Sequence, residues 1–401
     1  MEDKKQIIKN LLEKGVSKII DKQNLEKKLN SGKKLKIKFG IDPTGTQVHI
    51  GHAVPILKLR EFQKLGHEII ILIGDSTAQV GDTSDKNAER PMLTREETKK
   101  NAQDYVQQFA KIIDINNVRI YYNSEGLDKV NFNGVGELAK LFSVSEMLDR
   151  DNFSKRFKAG VRISLQEFLY PIMQGYDSYC LKADVELGGN DQYFNLLAGR
   201  KIQEALGQEK QDIMMFNLIE GTDGRKMSKT YGNFIGLNFS ANDMFVKLME
   251  INDSLIIKYF ESCTTLYLDE IEVYKKRLDA GENPRNVKID LAKEVVKLYH
   301  SEQDAQNAYD YFERVLKDGI VPDEKDIEKI DIENENSELP LVSVLVKAGM
   351  VNNSSEARNA LSGDSVKVNN EIQNDPKFMI KLDKINYILI QVGKKKFKMV
   401  R

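Results

Sequence analysis

Two of the chain's four histidines, His49 and His52, stand three residues apart in the stretch Ile41-Asp42-Pro43-Thr44-Gly45-Thr46-Gln47-Val48-His49-Ile50-Gly51-His52. Far downstream, Gly224-Arg225-Lys226-Met227-Ser228-Lys229-Thr230 sets two lysines at the same spacing among small and polar residues. Imidazoles at i and i+3 at the start of a helix share a face. There the helix's first amide N–H groups lack partners, so an anion such as phosphate is well held. Gly51 between them lets a nucleotide come close to the backbone. Ammonium groups on a mobile loop suit the negative charge that develops on a departing pyrophosphate. Each pair alone has a plainer explanation: capping and packing for the histidines, a solvated turn for the lysines. Together they describe two jaws around one nucleotide. No Cys or third His accompanies the histidines, so zinc is not indicated.

The elements around them fit that reading. Lys34-Leu35-Lys36-Ile37-Lys38-Phe39 alternates and predicts a strand into the first loop. Val54, Leu57, Leu59, Phe62 and Leu65 predict a helix out of it from about residue 51, ended by Gly66. The apolar run Ile69-Ile70-Ile71-Leu72-Ile73 predicts a strand buried on both faces. With further strands expected at 118–122 and 213–216, the chain reads as α/β, a Rossmann-like parallel sheet over roughly residues 34–225. Residues 1–33 carry apolar positions at helical spacing and predict one or two helices.

Composition narrows the class. The chain has 401 residues, 41% hydrophobic and 30% charged, as a folded soluble protein of two or three domains would. No apolar run is long enough for a membrane helix, and no secretory signal is expected. Two cysteines argue against a disulfide framework; a reducing cytoplasm is the expected location. The net charge is −1, so any nucleic-acid role must lie in the charge distribution. Residues 321–338 hold eight acids and two lysines, net −6. Residues 341–401 hold eleven Lys or Arg against five acids, net +6, with strand-like runs near 365–369 and 387–390.

His49-Ile50-Gly51-His52 followed by Lys226-Met227-Ser228-Lys229 resembles the two signature motifs of class I aminoacyl-tRNA synthetases. Phe39-Gly40-Ile41-Asp42-Pro43-Thr44, Tyr170…Gln174…Asp177 and Gly188-Gly189-Asn190-Asp191-Gln192 are similar to stretches of the bacterial tyrosyl branch. Gly81-Asp82-Thr83-Ser84-Asp85-Lys86, with Arg90, resembles another. The resemblance implies catalytic roles for His49, His52, Lys226, Lys229, Lys86 and Arg90. It implies ATP contacts at Gly40, Asp42, Thr44, Gly51, Gly189, Asp191 and Met227. It implies tyrosine contacts at Lys38, Gly40, Thr77, Asp82, Asn123, Tyr170, Gln174, Asp177 and Gln192. No resident metal is implied; Mg²⁺ would come with ATP. Many relatives carry a tyrosine where Lys38 stands, so the usual second partner of the substrate hydroxyl is missing.

The implied architecture is a catalytic domain at 1–235 with a dimer-interface insertion at about 130–165, then an α-helical domain at 236–320 reading the anticodon region. An acidic linker at 321–340 and a basic α-L RNA-binding module at 341–401 complete it. The implied activity joins L-tyrosine, ATP and tRNA(Tyr) in a homodimer with no membrane association. A tryptophanyl enzyme, another adenylyl-transferring enzyme without tRNA, and a non-catalytic RNA-binding paralogue are the alternatives.

Overall fold

The computed structural model describes residues 4–43, 45, 47–81, 93–228, 231–317, 321, 327–332, 338–382, 385–393 and 396–401. It divides into two compact units, Met1–Ala305 and Gln306–Arg401.

The first unit is built on a six-stranded sheet. Its strands are β1 (Val16–Ile20), β2 (Lys36–Ile41), β3 (Glu68–Ile73), β4 (Val118–Tyr122), β5 (Val185–Gly189) and β6 (Asp212–Phe216), in the spatial order β1-β6-β5-β2-β3-β4. All pairs are parallel except β1 with β6. From β2 the chain moves outward to β3 and β4, then crosses back to β5 and β6. The direction of winding therefore reverses between β2 and β5. In such sheets the crevice beyond the carboxyl ends of the two central strands is where ligands bind. β3 is the buried strand its apolar run predicts, with Ile69, Ile70, Ile71 and Ile73 fully buried.

One sequence expectation needs correcting. Residues 1–33 are not helical throughout: the helix Lys4–Glu13 gives way to β1, and a helix resumes at Lys22–Asn30. Val16, Ile19 and Ile20 keep the i, i+3, i+4 spacing of a helix, but they are β-branched, and the open edge of β6 takes them as a strand with an irregularity between Val16 and Lys18. Over residues 34–225 the sheet is parallel as expected, and β1 adds an antiparallel edge from outside that range. β5 escaped the sequence reading because Val-Glu-Leu-Gly-Gly is too short and too glycine-rich to announce itself.

The helix Ile50–Lys64 leaves the first loop, and the helix Leu165–Leu181 crosses back to β5. The latter starts at a capping box, in which Ser164 accepts from the Gln166 amide while Glu167 accepts from the Ser164 amide at 2.8 Å. Before it, the insertion folds as Phe132–Ala139, Val144–Leu148 and Asp151–Lys158. Arg156 from that insertion donates to both Glu167 oxygens, at 2.5 and 3.0 Å, and to the Arg162 carbonyl; both side chains are buried. This bidentate pair pins the insertion to the start of the crossing helix.

Helices Ala241–Met249, Ile256–Cys263, Leu268–Asp279 and Pro284–Tyr299 fill the expected helical region. They do not form a separate body. Lys14 donates to the Thr264 and Leu266 carbonyls at 2.7 and 2.6 Å, and the Tyr259 hydroxyl to the Glu220 carbonyl at 2.5 Å. Residues 236–305 fall in the first compact unit, together with the sheet.

In the second unit, helices Leu341–Lys347 and Ser354–Ser362 cover a five-stranded sheet around Leu341, Val344, Leu345, Leu361, Ile390 and Val400. The stretch expected as an acidic linker supplies two strands. Glu328–Ile330 pairs in parallel with Lys396–Val400, and Glu338–Pro340 pairs antiparallel with Met379–Lys381. Charge composition marks solvent exposure, and an edge strand of three residues can be both acidic and paired.

Removing Arg156 would take the bidentate cation from the buried Glu167 carboxylate. Arg156→Ala is expected to destabilise the first unit by about 3–5 kcal/mol; thermal unfolding followed by circular dichroism checks it, and an unchanged melting temperature would contradict the pinning role.

Candidate active site

The first loop ends in a cap. His49 is the N-cap residue of Ile50–Lys64, in extended conformation, and its backbone N–H donates to His52 Nδ1 at 3.4 Å. The two rings stack at 3.7 Å, 19° from parallel. Because Nδ1 of His52 accepts, its proton sits on Nε2, and His52 lines the central cleft. Gly51 has a reason beyond access: a Cβ there would lie 3.0 Å from His49 Nδ1 and disturb the stack. The plain reading, capping and packing, and the chemical one are therefore compatible in these two residues.

The second loop is tied to the first through the backbone. Ile50 N–H donates to the Ile235 carbonyl and Leu237 N–H to the Val48 carbonyl, both at 2.9 Å. Between Gly221 and Ile235 the organiser is Asn233, buried, which sequence reasoning missed. Its Oδ1 accepts from the Ser228 amide at 2.8 Å, and its Nδ2 donates to Asp223 at 2.6 Å and to the Lys226 carbonyl at 3.2 Å. The Asn233 hydrogen bond, with Arg225 beside it, holds the Asp223 carboxyl down at about 2. Met227 is buried and Lys226 exposed. Lys229 lies outside the described residues, as do Thr44, Asp82, Lys86 and Arg90.

At the carboxyl ends of β2 and β5 lies a cleft of about 240 Å³, sized for an amino acid. Of the residues singled out from the sequence, Lys38, Gly40, Asp42, His52, Thr77, Tyr170, Gln174, Asp177, Gly189, Asp191 and Gln192 line it. Phe39, Ile41, Leu72, Tyr105, Leu187 and Gly188 join them without having been singled out. His49, Gly51, Asn123, Lys226 and Met227 are not part of its lining. A second recess, lined by Lys14 and Lys58, has about 20 Å³, roughly one water, and lies away from both loops.

Inside the cleft the polar groups form a chain. The Tyr170 hydroxyl donates to Asp42 Oδ2 at 2.8 Å, and Thr77 Oγ1 to Asp42 Oδ1 at 2.8 Å. Asn123 Nδ2 donates to Thr77 Oγ1 at 3.1 Å and to Asp177 Oδ2 at 3.2 Å, while its Oδ1 accepts from the Ser76 amide. Asp42 thus joins the histidine loop to the amino-acid pocket. Gly74 makes room for this: a Cβ would fall 2.0 Å from Asp42 Oδ1 and 2.1 Å from Thr77 Oγ1. Asn123 is fully buried, outside the cleft lining, and donates to Asp177.

Asp177 is 1% exposed, and its Oδ1 has no hydrogen-bond partner. Burial pushes its carboxyl up to about 8, against the pull of the Lys38 charge and the Asn123 hydrogen bond. Protonated or ionised, it can pair with a hydroxyl; an apolar ring offers it nothing. Tyr170, Gln174 and Asp177 share one face of the crossing helix, at spacings of four and three. Among the described residues no group of three His, Cys, Asp or Glu could hold a metal ion, and no helix is long and apolar enough to cross a membrane.

Comparison with known proteins bears on this geometry. The family described as tRNA synthetases class I (W and Y) matches residues 30–317, and the one described as Tyrosine--tRNA ligase SYY-like C-terminal domain matches residues 320–400. The Tyrosine--tRNA ligase of Colwellia psychrerythraea is 43% identical over 387 residues, 96% of each chain. The chain belongs to the tyrosine–tRNA ligases. That of Thermotoga maritima is 43% identical over 389 residues, 96% of this chain and 95% of the relative. Among solved structures, a C-terminally truncated mitochondrial tyrosyl-tRNA synthetase from Coccidioides posadasii superposes with a TM-score of 0.62 at 25% identity, over 76% of this chain and 91% of its own. The tyrosyl-tRNA synthetase of Archaeoglobus fulgidus complexed with L-tyrosine shares the fold, with a TM-score of 0.60 at 20% identity, over 77% and 99%. The tryptophanyl alternative finds no support in these relatives' names.

Asp177→Ala is expected to collapse the tyrosine-over-phenylalanine ratio of kcat/KM, chiefly by losing tyrosine, in pyrophosphate exchange with each amino acid; a retained ratio would move the hydroxyl contact elsewhere. A carboxyl whose folded pKa lies above its unfolded value penalises the folded state increasingly as pH rises from about 4 to about 8. Asp177→Asn removes that penalty, so its melting temperature should gain on wild type between pH 5 and pH 8; a gap that does not widen would refute the shift.

Proposed function

We propose that the enzyme activates L-tyrosine with ATP and then transfers the tyrosyl group to the 3′ end of tRNA(Tyr). The observation that carries this reading is the partnerless Asp177 Oδ1 at the bottom of an amino-acid-sized cleft whose rim holds His52. In the first step a tyrosine carboxylate oxygen attacks the α-phosphorus and the bond to pyrophosphate breaks. In the second a ribose hydroxyl of the tRNA attacks the acyl carbon and AMP leaves. No side chain needs to act as nucleophile; the protein positions the reactants and stabilises charge.

In this reading Tyr170, Gln174, Asp82 and Gln192 hold the ammonium and backbone of tyrosine, and Asp177 its hydroxyl, with Thr77 and Asn123 supporting that carboxylate. Asp191 takes the ribose of ATP, and Gly40, Asp42, Thr44, Gly51, Gly189 and Met227 border the nucleotide. His49 and His52 meet the phosphates, and Lys226, Lys229, Lys86 and Arg90 the leaving pyrophosphate. Mg²⁺ accompanies ATP and offsets the charge of its phosphates.

The helices of residues 236–320 would face the anticodon region, and the basic residues 341–401 would grip tRNA phosphates. The chain would work as a homodimer through the insertion at about 130–165. There Phe132, Val144, Phe157 and Leu165 are 92, 65, 64 and 81% exposed, an unusual concentration of bare apolar side chains. The cytoplasm, where tRNA is charged, is the matching location. ATP–pyrophosphate exchange against a panel of amino acids tests the reading. Exchange with tyrosine supports it; exchange with tryptophan alone or with none would favour a tryptophanyl enzyme or an inactive paralogue.

Two further outcomes follow. Lys229→Ala should slow adenylate formation by about 10²–10³ with tyrosine binding nearly unchanged, because the loop charge meets the transition state; a pre-steady-state burst of normal rate with raised tyrosine Kd would reverse that assignment. Deleting residues 320–401 should spare pyrophosphate exchange, impair tRNA charging and flatten the dependence of tRNA affinity on salt; equal salt slopes would remove the RNA role. The cut precedes residue 328 because strand Glu328–Ile330 belongs to the same sheet as the basic module.

A further inference from the structure

Beneath the cleft lies a polar cluster that the reading above does not use. Lys38 on β2 and Glu186 on β5 are direct cross-strand partners. Their side chains are 0% and 1% exposed, with Nζ 2.9 Å from Oε1. An ammonium has three donors, and Lys38 spends all three inside the protein: on Glu186, on Ser178 Oγ at 2.8 Å and on the Gln174 carbonyl at 2.9 Å. It has none left for a substrate hydroxyl, so it does not replace the tyrosine that relatives carry at this position.

Glu186 is as fully engaged. Its Oε2 accepts from Ser178 Oγ at 3.0 Å and from Gln211 Nε2 at 2.5 Å, and its Oε1 accepts from Gln174 Nε2 at 3.2 Å as well as from Lys38. A carboxylate accepts only. Gln174 must therefore turn the NH₂ side of its amide toward Glu186, which leaves the carbonyl oxygen as the half it can offer to the cleft it lines. A buried ion pair of this kind is poor value for stability, since an apolar pair of similar volume often serves as well. Its use is orientation.

We propose that Lys38 and Glu186 are positioning residues for the amino-acid site: without touching the substrate, they hold the Gln174 amide so that an acceptor, Oε1, faces the substrate's α-ammonium. This rests on the reading of Gln174 as an ammonium partner. Lys38 fixes the Gln174 backbone through its carbonyl, and Glu186 fixes the side chain through its NH₂. With a glutamine at 186 and no ammonium at 38 to hold its oxygen, either half of that amide could face Gln174, and the polarity of Gln174 would no longer be imposed.

The test uses the full-length enzyme and two competitive inhibitors of pyrophosphate exchange. L-tyrosinol keeps the phenol and the α-ammonium; 3-(4-hydroxyphenyl)propanoate keeps the phenol and lacks the ammonium. Lys38→Met/Glu186→Gln is expected to weaken tyrosinol about tenfold, the loss of roughly one hydrogen bond to a charged group, while the propanoate and the KM for ATP stay as in wild type. Lys38→Met/Glu186→Leu, which removes both charges and the acceptor and leaves no charge buried alone, should show the same selective loss and decides the matter if the first variant does not fold. Inhibition constants that rise together, or that do not move, would reduce the pair to a structural element and overturn the proposal. Gln174→Ala separates the two layers. If it weakens tyrosinol selectively and the Glu186 variants do not, only the positioning role falls. If Gln174→Ala itself spares tyrosinol, the ammonium reading and the proposal fall together.

Discussion

The junction of β2 with β5 is the constraint on which the site depends. Parallel strands put residues of one row on the same face, so the pairing that sets Lys38 opposite Glu186 also sets their charges side by side. Neither charge could be buried alone, because the desolvation of an isolated ion is far larger than any packing gain. The register of two strands and the location of the crossing helix above them are thus mutually enforcing. A one-residue slip would turn one of the two side chains to the opposite face and strand the other.

From that junction the polar chain runs upward. Asp177, Asn123, Thr77, Asp42 and Tyr170 come from four separate segments of the sequence, and each hydrogen bond in the chain joins segments remote from one another. Such a network fixes side-chain orientation better than packing does, because each donor and acceptor has one satisfactory geometry. Asp177 is the member left incomplete, with one oxygen lacking a partner and a carboxyl pushed well above its ordinary range. That arrangement costs folding stability and suits recognition, since a ligand hydroxyl supplies what the fold withholds.

The two loops are linked by main chain rather than by side chains. The backbone bonds between residues 48–50 and 235–237 hold the end of the histidine loop against the segment that follows the lysine loop. Asn233 then ties the lysine loop to itself through three of its own neighbours. The sequence distance between the two motifs is therefore no measure of their mechanical coupling.

Much of this was legible in the residues alone. The two histidines and the lysine motif point to the chemistry through their resemblance to a known pair of motifs, while helix periodicity by itself puts Tyr170, Gln174 and Asp177 on a shared face. β3 was equally plain, since a continuous run of isoleucines has few other uses. What periodicity could not supply was partnership. Val16, Ile19 and Ile20 have the spacing of a helix, and only the edge of β6 makes a strand of them. An acidic stretch reads as a linker until one of its strands is seen beside Lys396–Val400. Lys38 belonged by sequence to an ordinary alternating strand and by resemblance to the substrate's hydroxyl. Only the folded chain brings Glu186, Ser178 and Gln174 to it from another strand and a helix, and so consumes its donors. Local sequence determines which groups exist and which way they face along their own element; the tertiary structure decides which of them are already satisfied, because satisfaction is a property of pairs brought together from distant parts of the chain.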